Sequence, residues 1–351
     1  MSYDIKKLLQ SVVSHGASDL HLVSRTEPQL RLDGALKPIN LPKLTGEDIE
    51  EMCYSLITEK QKKQFEEYGE LDFALLLPGI GRFRANYYST LGDTAAAFRV
   101  IPIDVPSLDD LGAPSVYKKL IKREKGLILV TGPTGSGKST TLAAMLNEIN
   151  LNEAKHIITV EDPVEFIHQH KKAIFSHRGV GEDTNSFSIA LKYAMRQDPD
   201  IILIGEMRDK ETIEAALTAA ETGHLVFGTL HTSSAPGTIN RIIDVFTGDE
   251  QPQIRAMISS SLVAVIAQAL LPKLAGGRLA VSEILITNHA ISNLIREDKV
   301  HQIYSQMQLG QENTGMITQT QALLKYIRDG KISRETALQY ANKADELRKA
   351  L

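Results

Sequence analysis

Polar and apolar residues alternate in short stretches over the first hundred positions, as they do in half-buried strands. Residues 19–23 and 29–32 show this pattern, and Asp33-Gly34 directly after them predicts a hairpin turn. Three further strands are predicted, at 73–77, 81–88 and 95–101. This part of the chain therefore predicts an antiparallel sheet.

One helical stretch lies among these strands. Thr45 followed by Asp48 matches a capping box, which opens a helix running through Leu56. The helix would carry Cys53, which we expect to be buried as a small apolar side chain. Helix and strands together predict a small α+β domain.

The pattern changes after residue 101. Three prolines fall within 102–114, where they remove backbone donors and fix φ. We expect a semi-rigid linker there, between an N-terminal domain at 1–101 and a C-terminal domain at 115–351.

Continuous apolar runs follow, each typical of a strand buried on both faces. These runs lie at 126–130, 157–160, 201–204 and 225–227, and helical stretches lie among them at 140–149, 187–195 and 210–221. Apolar strands that alternate with helices predict an α/β domain with a parallel sheet. From about residue 253 we expect a mainly helical tail.

Composition narrows the function classes. The 351 residues include 39 Lys and Arg against 43 Asp and Glu, a formal charge of −4, with 9 Phe, 10 Tyr and no Trp. This balance argues against a basic, aromatic-rich nucleic-acid binder. The single cysteine excludes an internal disulfide or a four-cysteine zinc site. The apolar run at 262–271 is about half of what a bilayer span needs. We therefore expect a cytoplasmic protein that contacts membranes only through partners.

A complete phosphate-binding motif follows the strand at 126–130. The chain matches G-x-x-x-x-G-K-[ST] between that buried strand and a helix, which is the context that the motif requires. Its residues are Gly132, Pro133, Thr134, Gly135, Ser136, Gly137, Lys138 and Ser139, with Thr140 next in the helix. Backbone amides and the helix N-terminus cradle phosphates in such loops. Lys138 is predicted to reach the β- and γ-phosphates and Ser139 to bind Mg²⁺, so ATP and Mg²⁺ are the expected cofactors.

Acidic residues follow two of the buried strands, where ligands of parallel sheets bind. Glu161, Asp162 and Glu165 follow one strand, and Glu206 follows another. Hydrolysis needs a group that positions water and an acid near the metal. Gly205 stands where metal-binding strands usually carry Asp, so Glu206 could act through a metal-bound water. Solvated helix-capping acids are the alternative explanation.

Two histidines flank the strand at 225–227. His224 precedes it and His231 follows it. A neutral imidazole could sense the γ-phosphate or contact a neighbouring subunit. A structural histidine is the alternative for each.

Arginines occur on predicted strands of the first domain, at Arg82, Arg84 and Arg99. Arginine suits bidentate phosphate contact, and an arginine supplied by a neighbouring subunit can accelerate hydrolysis by roughly 10³–10⁵. Surface arginines that pair with nearby acids are the alternative.

With these motifs in place, almost the whole chain resembles the secretion-ATPase (PilT/GspE) family, and within it the retraction ATPases of type IV pili. The resemblance rests on the phosphate loop and on further motifs in the same order. They lie at 16–22, 161–165, 205–209, 230–232 and 290–297.

The resemblance implies a homo-hexamer whose subunits have a PAS-like N-terminal domain and a RecA-like P-loop ATPase domain. It implies that Glu165 is the general base and that Glu206 acts on magnesium or its water. It further implies that His224 and His231 sense nucleotide or bridge subunits, and that first-domain arginines complete the site.

It also implies the protein's partners and its place in the cell. They are an inner-membrane platform protein (PilC-like) at the pilus base and an accessory paralogue (PilU-like), with no nucleic acid. Assembly-type and secretion-type relatives usually carry a tetracysteine zinc motif, which a chain with one cysteine cannot form, so retraction and twitching motility are favoured. An accessory retraction ATPase would share these motifs and stays open, as do a nucleic-acid motor and a non-hydrolytic scaffold.

Overall fold

The computed structural model describes residues 4–32, 34–101, 104–309 and 314–351. Asp33 of the predicted hairpin turn and residues 102–103 of the predicted linker lie outside these ranges. The chain divides into two compact units, Met1–Asp104 and Val105–Leu351.

The first unit is built on a six-stranded antiparallel sheet in the order β3-β2-β1-β6-β5-β4. Its strands are β1 (Asp19–Leu22), β2 (Gln29–Leu32), β3 (Ala35–Pro38), β4 (Glu70–Leu77), β5 (Gly81–Thr90) and β6 (Asp93–Ile101). One face buries apolar side chains such as Leu20, Phe83, Tyr87 and Phe98. The predicted antiparallel α+β unit is confirmed.

Three helices accompany this sheet, where one was predicted. They are α1 (Ile5–Ser14), α2 (Gly46–Tyr54) and α3 (Glu59–Tyr68). In α2 the predicted capping box is present, since Thr45 and Asp48 exchange side-chain and backbone bonds. The sequence reading missed α3 because Phe65 is its only buried side chain, too few to show a helical period.

Cys53 is buried on α2, as predicted. Its backbone carbonyl accepts a hydrogen bond from the Tyr87 hydroxyl at 3.2 Å. Burial raises the pKa of the Cys53 thiol to about 12, so the group is un-ionised at neutral pH.

The second unit carries a seven-stranded sheet in the order β13-β12-β7-β11-β10-β8-β9. All neighbours are parallel except β12 and β13. The strands are β7 (Gly126–Thr131), β8 (His156–Glu161), β9 (Ile174–Gly179), β10 (Ile201–Ile204), β11 (Leu225–Leu230), β12 (Leu262–Pro272) and β13 (Arg278–Ile286). The predicted α/β fold with a parallel sheet is confirmed.

Helices separate these strands and follow them. Those before β12 are α4 (Val116–Leu120), α5 (Lys138–Asn152), α6 (Phe187–Ala194), α7 (Lys210–Glu221), α8 (Ala235–Ile243) and α9 (Gln251–Ser261). Those after β13 are α10 (His289–Arg296), α11 (Ile303–Leu309), α12 (Gln319–Arg328), α13 (Arg334–Tyr340) and α14 (Ala344–Ala350). Across the described ranges, none of these helices combines the length and apolar character that crossing a bilayer demands.

The expected mainly helical tail from residue 253 is wrong in one respect. Its first half contains two long strands, β12 and β13, which pair with each other, while β12 also pairs with β7. The run at 262–271 has three β-branched residues but also three alanines and three leucines, and periodicity alone does not separate such a run from a buried helix. Pairing with β7 makes it a strand.

Candidate active site

The phosphate loop joins two buried elements. Strand β7 is buried at all six positions, and α5 begins at Lys138 directly after Gly137. Gly132 and Gly137 have φ values of 144° and 87°, which side chains rarely adopt. A Cβ on Gly132 would also lie 2.2 Å from the backbone oxygen of Gln268. The loop therefore needs glycine at both fixed positions of the motif.

Pro133, Thr134 and Gly135 form the exposed tip of the loop, and Ser136 is buried at its base. Ser139 and Thr140 lie in the first turn of α5, half-buried. The predicted loop residues are thus placed together, with the N-terminus of a 15-residue helix at their centre. This arrangement favours an anion.

Lys138 folds back over its own loop. Its Nζ donates to the carbonyl oxygens of Gly132 and Pro133, at 2.8 and 3.1 Å. Burial lowers the pKa of the Lys138 ammonium, and the negative charges of Glu206 and Glu165 oppose that shift. The structure therefore brings both predicted catalytic carboxylates within electrostatic reach of the loop lysine.

Glu206 and His231 meet at the ends of two neighbouring strands. Strands β10 and β11 are parallel partners, so the residues that follow them come together. His231 Nε2 lies 3.0 Å from Glu206 Oε1, and Arg208 forms an ion pair with the same oxygen. The sequence predicted both strand-end residues separately, and the structure places them side by side.

The acidic segment at 161–165 curls back on itself. Glu161 ends β8 and is buried, and its Oε2 accepts the backbone N–H of Glu165 at 3.1 Å. Asp162 is exposed, and its charge raises the pKa of the Arg208 guanidinium, after the larger effect of Glu206. Glu161 thereby holds the backbone from which the Glu165 side chain extends.

A small cavity lies below the loop. Ser139, Glu161, Gly205 and Thr229 line it together with His168, among others. The Ser139 hydroxyl and the Glu161 carboxylate thus border one space, and oxygen donors of this kind suit Mg²⁺. His168 is 6% exposed, and among the described residues its Nδ1 has no hydrogen-bond partner.

His224 lies at the other end of β11 from the loop, so its predicted contact with nucleotide or with a neighbouring subunit stays a prediction. It precedes β11, whose first residue pairs with Gly126 at the start of β7, whereas the loop follows the end of β7. The six residues of β11 separate the two histidines by roughly 20 Å. The His224 ring contacts the backbone oxygen of Ala219 at 3.0 Å.

The three predicted arginines lie on the polar face of the first unit's sheet. Arg84 and Arg99 are direct cross-strand neighbours on β5 and β6. Arg84 binds Asp72 with Nε and Nη2, at 3.1 and 2.5 Å, and Arg99 Nε donates to Asp19 at 2.8 Å. Arg82 is buried at 6% exposure.

Burial alone would raise the pKa of Asp19, but hydrogen bonds from Ser18 and Arg99 outweigh it, so this pKa is lowered. The acid pairing that the sequence left as an alternative is present for Arg84 and Arg99. A phosphate contact of these arginines stays a prediction.

Two residues beside the loop escaped the sequence analysis. Gln268 was visible only as a polar interruption of an apolar run, and Arg208 only as part of a motif. A polar side chain inside a strand buried on both faces is the signal that could have identified Gln268, because such a group needs a partner.

Comparison with known proteins places this site in a family. Residues 1–276 match the family described as type II/IV secretion system protein. The chain is 51% identical over 338 residues to the type IV pilus retraction ATPase PilT of Pseudomonas aeruginosa, covering 96% of this chain and 98% of that protein. It is 47% identical over 348 residues to a twitching motility protein of Neisseria gonorrhoeae, covering 99% and 93%.

Identity to a further pilus ATPase is lower. Identity to the type IV pilus ATPase PilU of Pseudomonas aeruginosa is 40% over 346 residues, covering 98% of this chain and 90% of that protein. A crystal structure of the pilus retraction motor PilT with bound ADP matches with a TM-score of 0.92 and 47% identity, covering 99% of each chain. With this fold, this loop and these similarities, the chain belongs to the family of type II/IV secretion system proteins.

Proposed function

We propose that this protein is an ATPase that hydrolyses ATP as a homo-hexamer and powers retraction of type IV pili, and with it twitching motility. The observation that carries the proposal is the grouping of Lys138, Glu165, Glu206 and His231 around one complete phosphate loop. The 51% identity to a type IV pilus retraction ATPase supports pilus retraction as the process that ATP hydrolysis drives.

The loop is the proposed ATP site. Backbone N–H groups from Gly132 to Thr140 and the N-terminus of α5 bind the phosphates, and Lys138 exchanges its carbonyl partners for phosphate oxygens. The Ser139 hydroxyl and the carboxylates of Glu206 and Glu161 offer the oxygen donors that Mg²⁺ prefers. When bound, Mg²⁺ supplies positive charge that neutralises the phosphate oxygens.

Hydrolysis is proposed to use Glu165 as the general base. Its carboxylate takes a proton from water as the water oxygen attacks the γ-phosphorus, and the bond from that phosphorus to the bridging oxygen breaks. Glu161 positions this base through the Glu165 backbone N–H. Lys138 stabilises the charge that develops on the phosphate oxygens.

His231 is proposed to sense the γ-phosphate. Its Nε2 lies 3.0 Å from Glu206 Oε1, and in the tautomer protonated at this nitrogen it can donate to an oxygen. This N–H can turn to a γ-phosphate and release Glu206. His224 cannot serve the same loop, so any contact with nucleotide would come from a neighbouring subunit.

The arginines of the first unit are proposed to complete the site of a neighbouring subunit. Arg82, Arg84 and Arg99 share one face of the sheet, where Arg84 and Arg99 are paired with acids. The partners proposed beyond the ring are a platform protein of the PilC type and an accessory PilU-like paralogue. The motor would then lie in the cytoplasm, peripheral to the inner membrane at the pilus base.

Deletion of the gene in its own cell tests the proposal. We expect many surface pili and no twitching, with rescue by the wild-type gene but not by Lys138→Ala. Lys122→Ala, at an exposed lysine outside the loop, is the matched control and should rescue. Absent pili would instead indicate an assembly ATPase, and retained twitching would indicate the accessory paralogue.

A further inference from the structure

A buried glutamine interrupts the apolar face of β12 beside the phosphate loop. Gln268 is 3% exposed and stands between two alanines. Buried amides are costly unless both ends are hydrogen-bonded. Here Nε2 donates to the backbone oxygen of Ser136 at 2.6 Å, and Oε1 accepts from the Thr141 hydroxyl at 2.9 Å. One side chain thus ties β12 to the loop and to α5.

The loop is shaped around this residue. A Cβ on Gly132 would lie 2.2 Å from the Gln268 backbone oxygen, and a Cβ on Gly137 would lie 2.9 Å from its Nε2. The two fixed glycines of the motif therefore leave space for Gln268 as well as adopting unusual φ angles. The loop and β12 fit as one unit.

The contact with Ser136 also fixes an amide. The Ser136 carbonyl and the Gly137 N–H belong to one planar trans peptide, so they point in opposite directions. Because the carbonyl is held by Gln268, the Gly137 N–H is turned away from β12. Thr141 secures this orientation, since its hydroxyl donates to Oε1 and leaves Nε2 for the loop.

We propose that Gln268 is a positioning residue for the nucleotide. It holds the Ser136–Gly137 peptide so that the Gly137 N–H is already directed at the phosphate groups when ADP or ATP binds. The inference rests on the proposed ATPase function, and it adds a residue from a strand that lies outside the recognised nucleotide motifs.

Two substitutions separate the amide's contacts. Gln268→Met keeps the length and removes both hydrogen bonds. Gln268→Glu keeps the shape and the acceptor for Thr141, but it cannot donate to Ser136. We expect each to raise the Kd of Mg²⁺-ADP, measured by calorimetry, about tenfold or more, as for the loss of one buried hydrogen bond. The KM for ATP should rise in parallel, with kcat reduced less.

Gln319 provides the matched control. It is also a buried glutamine whose amide bridges two backbone groups, the oxygen of Tyr340 at 3.3 Å and the N–H of Asn342 at 2.7 Å. Gln319→Met should lower the melting temperature and leave the Kd of ADP unchanged. Equal weakening of ADP binding by both variants would overturn the proposal, because it would reflect general destabilisation.

Thr141→Val tests the same contact in case the Gln268 variants do not fold. It removes one hydrogen bond without changing shape, and the freed Gln268 amide should hold Ser136 less well, so the Kd of ADP should rise about threefold. If folded Gln268→Glu and Thr141→Val bind ADP with wild-type affinity, the inference is overturned. If the unmodified protein still hydrolyses ATP in that case, the proposed function is unaffected. A wild-type protein that neither binds ADP nor hydrolyses ATP would instead contradict the proposed function.

Discussion

Glu161 and Glu165 have different roles in the structure, which the sequence alone could not distinguish. Glu161 is buried, and its carboxylate accepts the Glu165 backbone N–H, so it has a bonding task inside the protein. Glu165 is half-buried and acts electrostatically on Lys138. The geometry thus favours Glu165 as the residue with access to a water molecule.

Glu165→Gln should therefore separate binding from cleavage. The amide keeps the size of the side chain but takes up no proton, so ATP should bind and remain uncut. We expect kcat to fall by roughly 10²–10⁴, the range for loss of a general base, with ATP recovered intact from the protein by chromatography. Glu124→Gln, at an exposed position, is the control. Wild-type turnover in Glu165→Gln would reject the assignment.

His168 gives the stability a pH dependence. Burial lowers the pKa of its imidazole to about 4 from the ordinary 6.5, so the folded state holds it neutral. Between these values the unfolded chain binds the extra proton, and the free energy of unfolding must fall as pH falls from 6.5 towards 4. The shift corresponds to about 3 kcal/mol over that window.

His168→Phe should remove this part of the acid sensitivity. The phenyl ring can keep the stacking on Phe175, whose centroid lies 4.5 Å from that of His168, and it has no proton to gain. Urea unfolding at several pH values from 7 to 4 measures the slope. The exposed His289→Gln should leave the slope as in the wild type. An unchanged slope in His168→Phe would show that other groups carry the acid sensitivity.

The parts of the site that lie within one short stretch of the chain were predictable from the sequence. The loop spacing and the strand-end acids were found because each follows directly from a run of neighbouring residues. The Glu206–His231 pair and the Gln268 contacts were not, since they depend on which strands lie side by side. The distance of His224 from the loop was not visible either, because the two ends of a strand lie at opposite edges of the sheet.

At the scale of elements, helix α10 contains most of the motif at 290–297, on which part of the resemblance to pilus retraction ATPases rests. Ile291 and Ile295 are fully buried, Leu294 is half-buried, and Asn293 is exposed. Ser292 donates to the backbone oxygen of Ser259 in α9 at 2.9 Å. The apolar residues of the motif are thus core residues, and any contact with a partner belongs to the exposed face.

Ile295→Ala should lower the free energy of unfolding by about 2–5 kcal/mol, the usual cost of emptying a well-packed site. Chemical denaturation measures this, and Asn293→Ala should stay within about 0.5 kcal/mol of wild type. If α10 also acts in retraction, Asn293→Ala should reduce twitching while its ATPase rate is unchanged. Equal stability of Ile295→Ala and wild type would contradict the packing described for α10.

Strands and helices were predictable from the sequence where the apolar positions followed a single pattern. Strands β7, β8, β10 and β11 are short, wholly or mostly buried runs between turns, and sequence found each of them. Edge strand β9 escaped because only Phe175 and Gly179 of its six residues are buried, so it contains no continuous apolar run. Strand β12 was predicted as part of a helical tail because a ten-residue, mostly apolar run fits either structure.

At the scale of the whole molecule, the proposed ring makes each active site a shared one. Arg84 and Arg99 are already held by Asp72 and Asp19, so their guanidinium groups are ordered before any phosphate arrives. Ordering in advance lowers the entropic cost of a later contact. The arginines of one subunit would then act on the loop of the next.

Mixing two inactive variants tests this sharing. The double variant Arg84→Ala/Arg99→Ala should lose roughly 10³-fold or more in kcat and still bind ADP. Lys138→Ala should be inactive for lack of the loop lysine. Mixed rings should regain activity, because a Lys138→Ala subunit can lend its arginines to an intact loop.

Arg31 also contacts Asp19, at 3.8 Å, so Arg31→Ala is the control for the loss of an ion pair alone. This variant should keep near wild-type ATP turnover. Mixed samples that stay inactive would argue against a shared site. So would separated monomers that cleave ATP as fast as the assembled protein.

The lysine that bends back onto Gly132 and Pro133 has a consequence for nucleotide affinity. Its ammonium already has two oxygen partners inside the loop, so the oxygens of a phosphate must compete with these two carbonyls. The net energy of a contact between Lys138 and phosphate is therefore reduced by the two hydrogen bonds that the lysine gives up.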